Sequence, residues 1–306
     1  MNILFSTNTN FIIPTSVMLF SVCKTHDNVA IDFFLAYHDL TNRDINRLKS
    51  IISHFPNKRL ILLDVGDSFS TKFKAKEQYS YESYYRILAL DMLPDSMEKI
   101  LYLDADMLIK KDLQNLYETP MDMTCPFVVC EDIHLDIREY FYIKDGIHLP
   151  REKSYFNSGM LLINLDYHRK MRSTGYMIDA FIREAGNYEC PDQDILNILY
   201  GDKVKYVPWE LYNLPPLHWN LDIEELSFGH IKYASYPELF NHPKKYANIT
   251  TQLRDQAHII HYLGSLLKPW KYRKGVFYED LALYSDLWFD CEKEMYLHIP
   301  TLEHLS

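Results

Sequence analysis

The chain has 306 residues, enough for one large α/β domain or two small ones around a proper core. With 47% apolar and 24% charged residues it has an ordinary globular make-up, and a formal charge of -10 speaks against nucleic acid as a partner, which needs clustered lysine and arginine. The 5 cysteines include no Cys-x-x-Cys and no apolar run approaches the ~20 residues that span a bilayer, so zinc, a disulfide framework and a transmembrane anchor are not expected.

Asn2 to Ser6 reads as a strand, followed by the polar loop Thr7-Asn8-Thr9-Asn10 without the Gly-x-Gly-x-x-Gly of a dinucleotide fold. Met1 to Phe5 does not start a secretory leader, and a cytoplasmic location is expected. Pro14 to Lys24 is a helix opening at its proline. Val29 to Tyr37 is a strand, and Thr41 to Phe55 is a helix with Thr41 as N-cap and apolar residues at helical spacing. Leu60 to Val65, Tyr81 to Met92 and Lys99 to Leu103 continue as strand, helix and strand. This alternation predicts an α/β fold with a mainly parallel central sheet flanked by helices.

Asp104 and Asp106 emerge where the fourth strand stops, the edge at which open α/β sheets bind ligands. Two carboxylates one residue apart repel each other unless a cation lies between them, and hard ions such as Mg²⁺ or Mn²⁺ take such ligands and then hold phosphates. The plainer alternative is that both aspartates end the strand and cap a helix over Lys111 to Tyr117. Strands follow at Phe127 to Glu131, Ser158 to Asn164 and Val204 to Val207, with helices at Tyr167 to Ala185 and Asp192 to Leu199. Trp209 to Gln256 has no clear period and reads as loops and short helices, Gln256 to His261 as a strand, and 276–306 as an aromatic, acidic segment of two helices.

Five motifs that line up with Asp104-Ala105-Asp106, in order the Thr7–Asn10 loop, Tyr84-Tyr85-Arg86-Ile87, Phe156-Asn157-Ser158-Gly159, Pro191-Asp192-Gln193-Asp194, and His261-Tyr262-Leu263-Gly264 leading to Lys268-Pro269-Trp270, resemble glycosyltransferase family 8 from Asn2 to Trp270. The family includes bacterial lipopolysaccharide galactosyl- and glucosyltransferases and, more distantly, glycogenin. The resemblance implies a GT-A nucleotide-diphosphosugar transferase fold over residues 1–270, with 271–306 as a C-terminal helical extension packed on it or at a homodimer contact. It implies a retaining hexosyltransferase that uses UDP-glucose or UDP-galactose with Mn²⁺, or Mg²⁺, and a saccharide or glycolipid acceptor. Asp104, Asp106 and His261 match the metal ligands. Thr7, Asn8 and Asn10 match the uridine-binding loop, Ser83 and Arg86 the helix at the diphosphate, and Ala105, Asn157 and Ser158 further donor contacts. Gly264 and Lys268 match a loop that closes on the phosphates, while Gln193 and Asp192 match residues around the transferred sugar.

Two departures stand out. Asn8 replaces the common aspartate, and His261 to Lys268 is one residue longer than expected, with Lys271 as the substitute cation. Asp194 reads as structural, and His258 has no motif partner. Trp209, Tyr212, His218 and Trp219 can either stack on an acceptor sugar or fill the core. Three other readings compete: a phosphatase of the haloacid dehalogenase type, a non-catalytic UDP-sugar-binding protein, and a self-glucosylating enzyme like glycogenin. The first wants Thr or Val where Leu108 stands. The tail beyond Lys274 has only Lys293 against several acids, so anionic lipid repels it and membrane contact is at most peripheral.

Overall fold

The structure, a computed structural model, describes residues 1–66, 82–132, 155–184, 188, 190–215, 254–263, 268–274 and 282–305. Its strands are β1 (Asn2–Ser6), β2 (Ile31–Tyr37), β3 (Lys58–Asp64), β4 (Lys99–Leu103), β5 (Met107–Ile109), β6 (Phe127–Glu131), β7 (Phe156–Asn164), β8 (Lys205–Val207) and β9 (Ile259–His261). The α-helices are α1 (Ile12–Thr25), α2 (Asn42–Ser53), α3 (Glu82–Leu88), α4 (Gln114–Tyr117), α5 (Leu165–Met171), α6 (Ser173–Glu184), α7 (Pro191–Tyr200), α8 (Trp209–Tyr212) and α9 (Ala282–His298).

Seven strands form one sheet in the order β3-β2-β1-β4-β7-β6-β8, and β5 pairs with β9 in a second, two-stranded sheet. The pairings of β1 with β2 and β4, of β2 with β3 and of β6 with β8 are parallel, whereas β7 runs antiparallel to β4 and β6. The sheet is therefore mostly parallel, and the chain leaves β1 in opposite directions toward β2 and β4. Strand side chains alternate between its faces. Ile3 and Phe5 pack with Leu101 and Leu103 against α1 and α2, while Leu4 packs with Ile100 and Tyr102 against α3, α6 and α7. Both faces are thus covered, and the strands read as nearly unbroken apolar runs.

Local chemistry places the boundaries. Thr41 caps α2 through a capping box with Asp44, as its sequence position indicates. The single helix expected over Tyr167 to Ala185 is instead two, because Arg172 turns left-handed at φ 50° and closes α5, after which Ser173 starts α6. The helix expected through Met92 becomes a 3-10 turn after Leu88, and that expected over Lys111 to Tyr117 shrinks to α4. Among its described residues the tail holds one long α-helix, α9, followed by a 3-10 helix at Pro300–Leu305. Trp288, Met295 and Leu302 of the tail join the core beside α1 and α2. The buried Arg47 guanidinium ties this arrangement together by donating to Ser16 Oγ (2.9 Å), the Leu302 carbonyl (3.0 Å) and Tyr296 Oη (2.8 Å).

His168 in α5 is buried beside the Phe127 ring at 4.8 Å between centroids, and burial pushes its pKa down to about 4. An unfolded histidine titrates near 6.5. The native state resists a proton that the unfolded chain accepts, so stability present above pH 6.5 is lost as the pH falls toward 4, by about 3 kcal/mol at most. Urea denaturation at pH 7 and at pH 4.5 should show a smaller pH-dependent loss for His168→Phe than for the wild type. Equal losses would contradict this role for the ring.

Candidate active site

The cluster of chemistry-bearing residues lies at the edge of the sheet where β1, β4 and β6 end and the antiparallel β7 begins. The β4–β7 ladder runs one residue past the strand, with Asp104 N–H donating to the Gly159 carbonyl (2.9 Å). The chain then turns, and β5 begins at Met107, opposite His261 in the register of β5 with β9. Tyr262 N–H donates to the Asp106 carbonyl (3.1 Å), so β9 sets His261 against the second aspartate from 155 positions away in sequence. One ligand atom from each of Asp104, Asp106 and His261 falls within a triangle whose corners are all within 4.8 Å of one another.

The donor set fits a divalent cation. His261 is buried, and its Nδ1 lies 2.7 Å from Asn213 Oδ1, an acceptor only, so the proton sits on Nδ1. Nε2 then turns its lone pair to Asp106 Oδ1 at 3.1 Å and Asp104 Oδ2 at 3.9 Å. Three electron-rich atoms facing one point repel unless a cation is shared among them, and about 3 Å separates neighbouring ligands around an octahedral ion with bonds of ~2.1 Å. Asn213 is thus the outer partner that fixes the tautomer of His261. Asn213→Ala should weaken Mn²⁺ binding by about 10- to 100-fold, read by calorimetry, with the thermal melting point nearly unchanged. Unaltered affinity would remove Asn213 from the site.

The remaining two arms of the cluster are cationic. Lys268 donates to Asp106 Oδ2 and to the Tyr262 carbonyl (2.7 Å). Burial alone would raise the Asp106 carboxyl, but the Lys268 ammonium opposes it, and the group is held well below the usual carboxylate range. Despite the longer spacing from His261, Lys268 therefore reaches the metal-ligand cluster, and Lys271 is the exposed one of the two. Arg86 is buried, stacked over the Tyr102 ring at 4.1 Å, and bridges Asp104 Oδ1 (3.2 Å) and Asp192 Oδ2 (3.3 Å). It also donates to the Ser158 carbonyl. A planar guanidinium that pairs two carboxylates suits this junction better than an ammonium.

Asp192 opens α7 and accepts from Ser158 Oγ (3.1 Å); burial raises its pKa, and Arg86 opposes the shift. Gln193 Oε1 accepts from Ser158 N–H and Asn157 Nδ2, both at 3.0 Å. Asp194 turns away, accepting from Cys190 N–H (2.9 Å) and from the Tyr155 hydroxyl, with burial pushing its pKa up to about 8. Its bonds anchor the start of α7, as the structural reading expects.

On the β1 side, the Thr7 hydroxyl points inward to Thr15 Oγ1 (2.7 Å). Asn8 caps the turn Thr9–Phe11 by accepting from Phe11 N–H (3.1 Å), which leaves one lone pair on its oxygen; Asn10 is exposed. Ala105 is buried between the two aspartates. The Ser83 side chain and Gly264 lie outside the described residues, as do His218 and Trp219. Trp209 and Tyr212 belong to the core rather than to an open sugar platform. His258 Nδ1 bonds to the Asp112 carbonyl (2.6 Å), away from the metal ligands.

Four residues of the site have no role assigned by the sequence motifs, although Gly159 stands inside one of them. Tyr102 donates to Asp104 Oδ1 (2.7 Å), Asn213 orients His261, and Asp132 accepts from Gln193. Gly159 is required by space: a Cβ there would stand 2.3 Å from His261 Cε1 and 2.8 Å from Asp104 Oδ2. Asp104 and His261 meet only in three dimensions, so this last constraint has no local trace.

The family described as Glycosyl transferase family 8 matches residues 2–274. A lipopolysaccharide 1,2-glucosyltransferase of Escherichia coli K12 is 21% identical over 95% of this chain and 79% of its own length. A putative glycosyltransferase of Haemophilus influenzae is 28% identical over 68% of this chain, and the match spans 61% of that relative's length. Among solved structures, the galactosyltransferase LgtC in complex with donor and acceptor sugar analogues superposes with a TM-score of 0.65 at 22% identity, covering 94% of this chain and 95% of that one. At that identity the likeness establishes the fold, whose central sheet and flanking helices are those described above.

Proposed function

The chain belongs to glycosyltransferase family 8, and from that premise we propose that it is a retaining hexosyltransferase. The donor is UDP-glucose or UDP-galactose, the acceptor a saccharide or glycolipid, and the metal Mn²⁺ or Mg²⁺. The observation that supports this reading most strongly is the triangle of Asp104, Asp106 and His261 beside the buried Arg86. When bound there, the ion neutralises charge on the departing diphosphate, a contribution worth several kcal/mol.

The chain's own residues do the rest. Arg86 holds Asp104 and Asp192 in fixed positions and adds a buried positive charge beside the metal ligands. Lys268 supplies a second cation at Asp106, suited to a phosphate oxygen. Asp192, tied to Ser158, presents a carboxylate to sugar hydroxyls, and Gln193 lies next to it in the first turn of α7. Asn8 and Asn10 face the base and ribose from the end of β1, and the reaction runs in the cytoplasm. No helix among the described residues is long and apolar enough to cross a membrane.

Base selectivity tests the donor assignment. Asn8, short and tethered to its own turn, suits a pyrimidine edge. Calorimetry in Mn²⁺ should give a UDP affinity about tenfold or more above that of GDP, a difference of ~1.4 kcal/mol. Equal or tighter GDP binding would overturn the uridine assignment.

A further inference from the structure

Trp270 stands two positions after Lys268, at a meeting point of three parts of the chain. Its ring centroid lies 5.7 Å from that of Trp288 in α9 and 5.8 Å from that of Phe11, the residue that ends the turn capped by Asn8. The Lys268 ammonium lies 5.6 Å from the centre of the same ring. Aromatic rings attract one another at such separations, and an indole face attracts a cation through its π-electrons.

A lysine ammonium rides on a flexible four-carbon stem and keeps one position only where its surroundings hold it. Lys268 is held by the Asp106 carboxylate, by the Tyr262 carbonyl (2.7 Å) and by the Trp270 ring. Asp106 is also a metal ligand in the reading above, so the carbonyl and the ring are the holds that the ion does not share. The ring is the one that depends on side-chain packing. Trp270 is itself only partly buried, whereas Trp288 is 1% exposed, within the core that α9 shares with α1 and α2. α9 is fixed in turn, through Glu294 to Lys24 (2.5 Å) and through the Tyr296 hydroxyl to Arg47 (2.8 Å). A rigid chain of packing thus runs from the body of the domain through α9 and Trp270 to the ammonium.

We propose that Trp288 is a positioning residue for the Lys268 ammonium, acting through Trp270, so that the C-terminal helix α9 is a working part of the donor site. The inference rests on the UDP-hexose reading, in which Lys268 meets a phosphate oxygen, and deepens it. Trp288 seats the Trp270 ring, and the seated ring keeps the ammonium beside the metal ligands. Trp288 therefore acts on the nucleotide only by way of Lys268.

A double-mutant cycle on the affinity for UDP in Mn²⁺, read by calorimetry on the full chain, tests this coupling. Lys268→Met should weaken UDP binding by about tenfold or more, and Trp270→Leu and Trp288→Phe each by about three- to tenfold. In the Lys268→Met background neither tryptophan substitution should cost more than about a further twofold, because the ammonium that they position is gone. Trp288→Phe keeps an aromatic ring in the core, and circular dichroism at the assay temperature checks that the chain is folded. Trp270→Leu runs the same cycle from a partly buried position. Wild-type affinity in Trp288→Phe would overturn the proposal. So would losses that multiply with that of Lys268→Met, the result expected if Trp288 merely supports the fold or acts through Phe11 on the loop of Asn8 and Asn10. Wild-type protein that binds no UDP in Mn²⁺ contradicts the donor reading, whereas multiplying losses contradict the role of Trp288 alone.

Discussion

Asp106→Asn is expected to remove metal-dependent turnover. Asp106 sits at the centre of the site's charge balance, with His261 Nε2 at 3.1 Å on one oxygen and the Lys268 ammonium on the other. An amide in its place keeps the shape and loses the charge, so a divalent ion meets one carboxylate instead of two. The lost stabilisation of the leaving diphosphate is several kcal/mol, or about a thousandfold or more in rate. Asp104→Asn should behave alike, with the added cost that Arg86 keeps only Asp192 of its two carboxylate partners given above. Rates of UDP release from UDP-hexose, with Mn²⁺ and with excess chelator, provide the check. Either variant retaining wild-type turnover would refute the metal assignment.

Gly159→Ala should be nearly as severe, though the residue carries no reactive group. Its added methyl would lie 2.3 Å from His261 Cε1 and 2.8 Å from Asp104 Oδ2, and neither neighbour is free to yield. His261 is held by Asn213 in a buried position, and Asp104 by Tyr102 and Arg86. Relief must come from displacing a ligand of the triangle or from shifting β7, a fully buried strand. We expect Mn²⁺ affinity to fall by about 100-fold or more and stability by about 1–3 kcal/mol. Calorimetric titration of Mn²⁺ against a protein shown by circular dichroism to be folded decides it; wild-type affinity would show that the methyl is accommodated.

Much of the first half of the fold was legible because its signals are local. β1, β2, α2 and β4 follow from apolar runs and helical periodicity, and Thr41 and Asp44 mark the start of α2. The break at Arg172 was not legible, since nothing in Met171-Arg172-Ser173 distinguishes a left-handed residue from one more helical turn. β5 has no local signal either: three residues after the aspartates form a strand only because β9, about 150 positions away, pairs with them. In the site, Asp104, Asp106, Arg86 and Asp192 stood out through spacing and charge. Asn213 and Asp132 did not, because an asparagine in a loop and an aspartate after a strand are common. Their importance comes from facing His261 Nδ1 and Gln193 Nε2 in space.

The central claim, metal-dependent hexosyl transfer with retention, is tested most directly by proton NMR of the reaction as it runs. Protein, Mn²⁺ and α-linked UDP-glucose or UDP-galactose are combined with a panel of saccharide acceptors, and with water alone, and the anomeric signal of the first product is followed. Retention predicts that the product, or the free hexose before it mutarotates, appears first as the α-anomer, and that no signal forms in excess chelator. A β-anomeric product formed first, or product formation undiminished by chelator, would contradict the account.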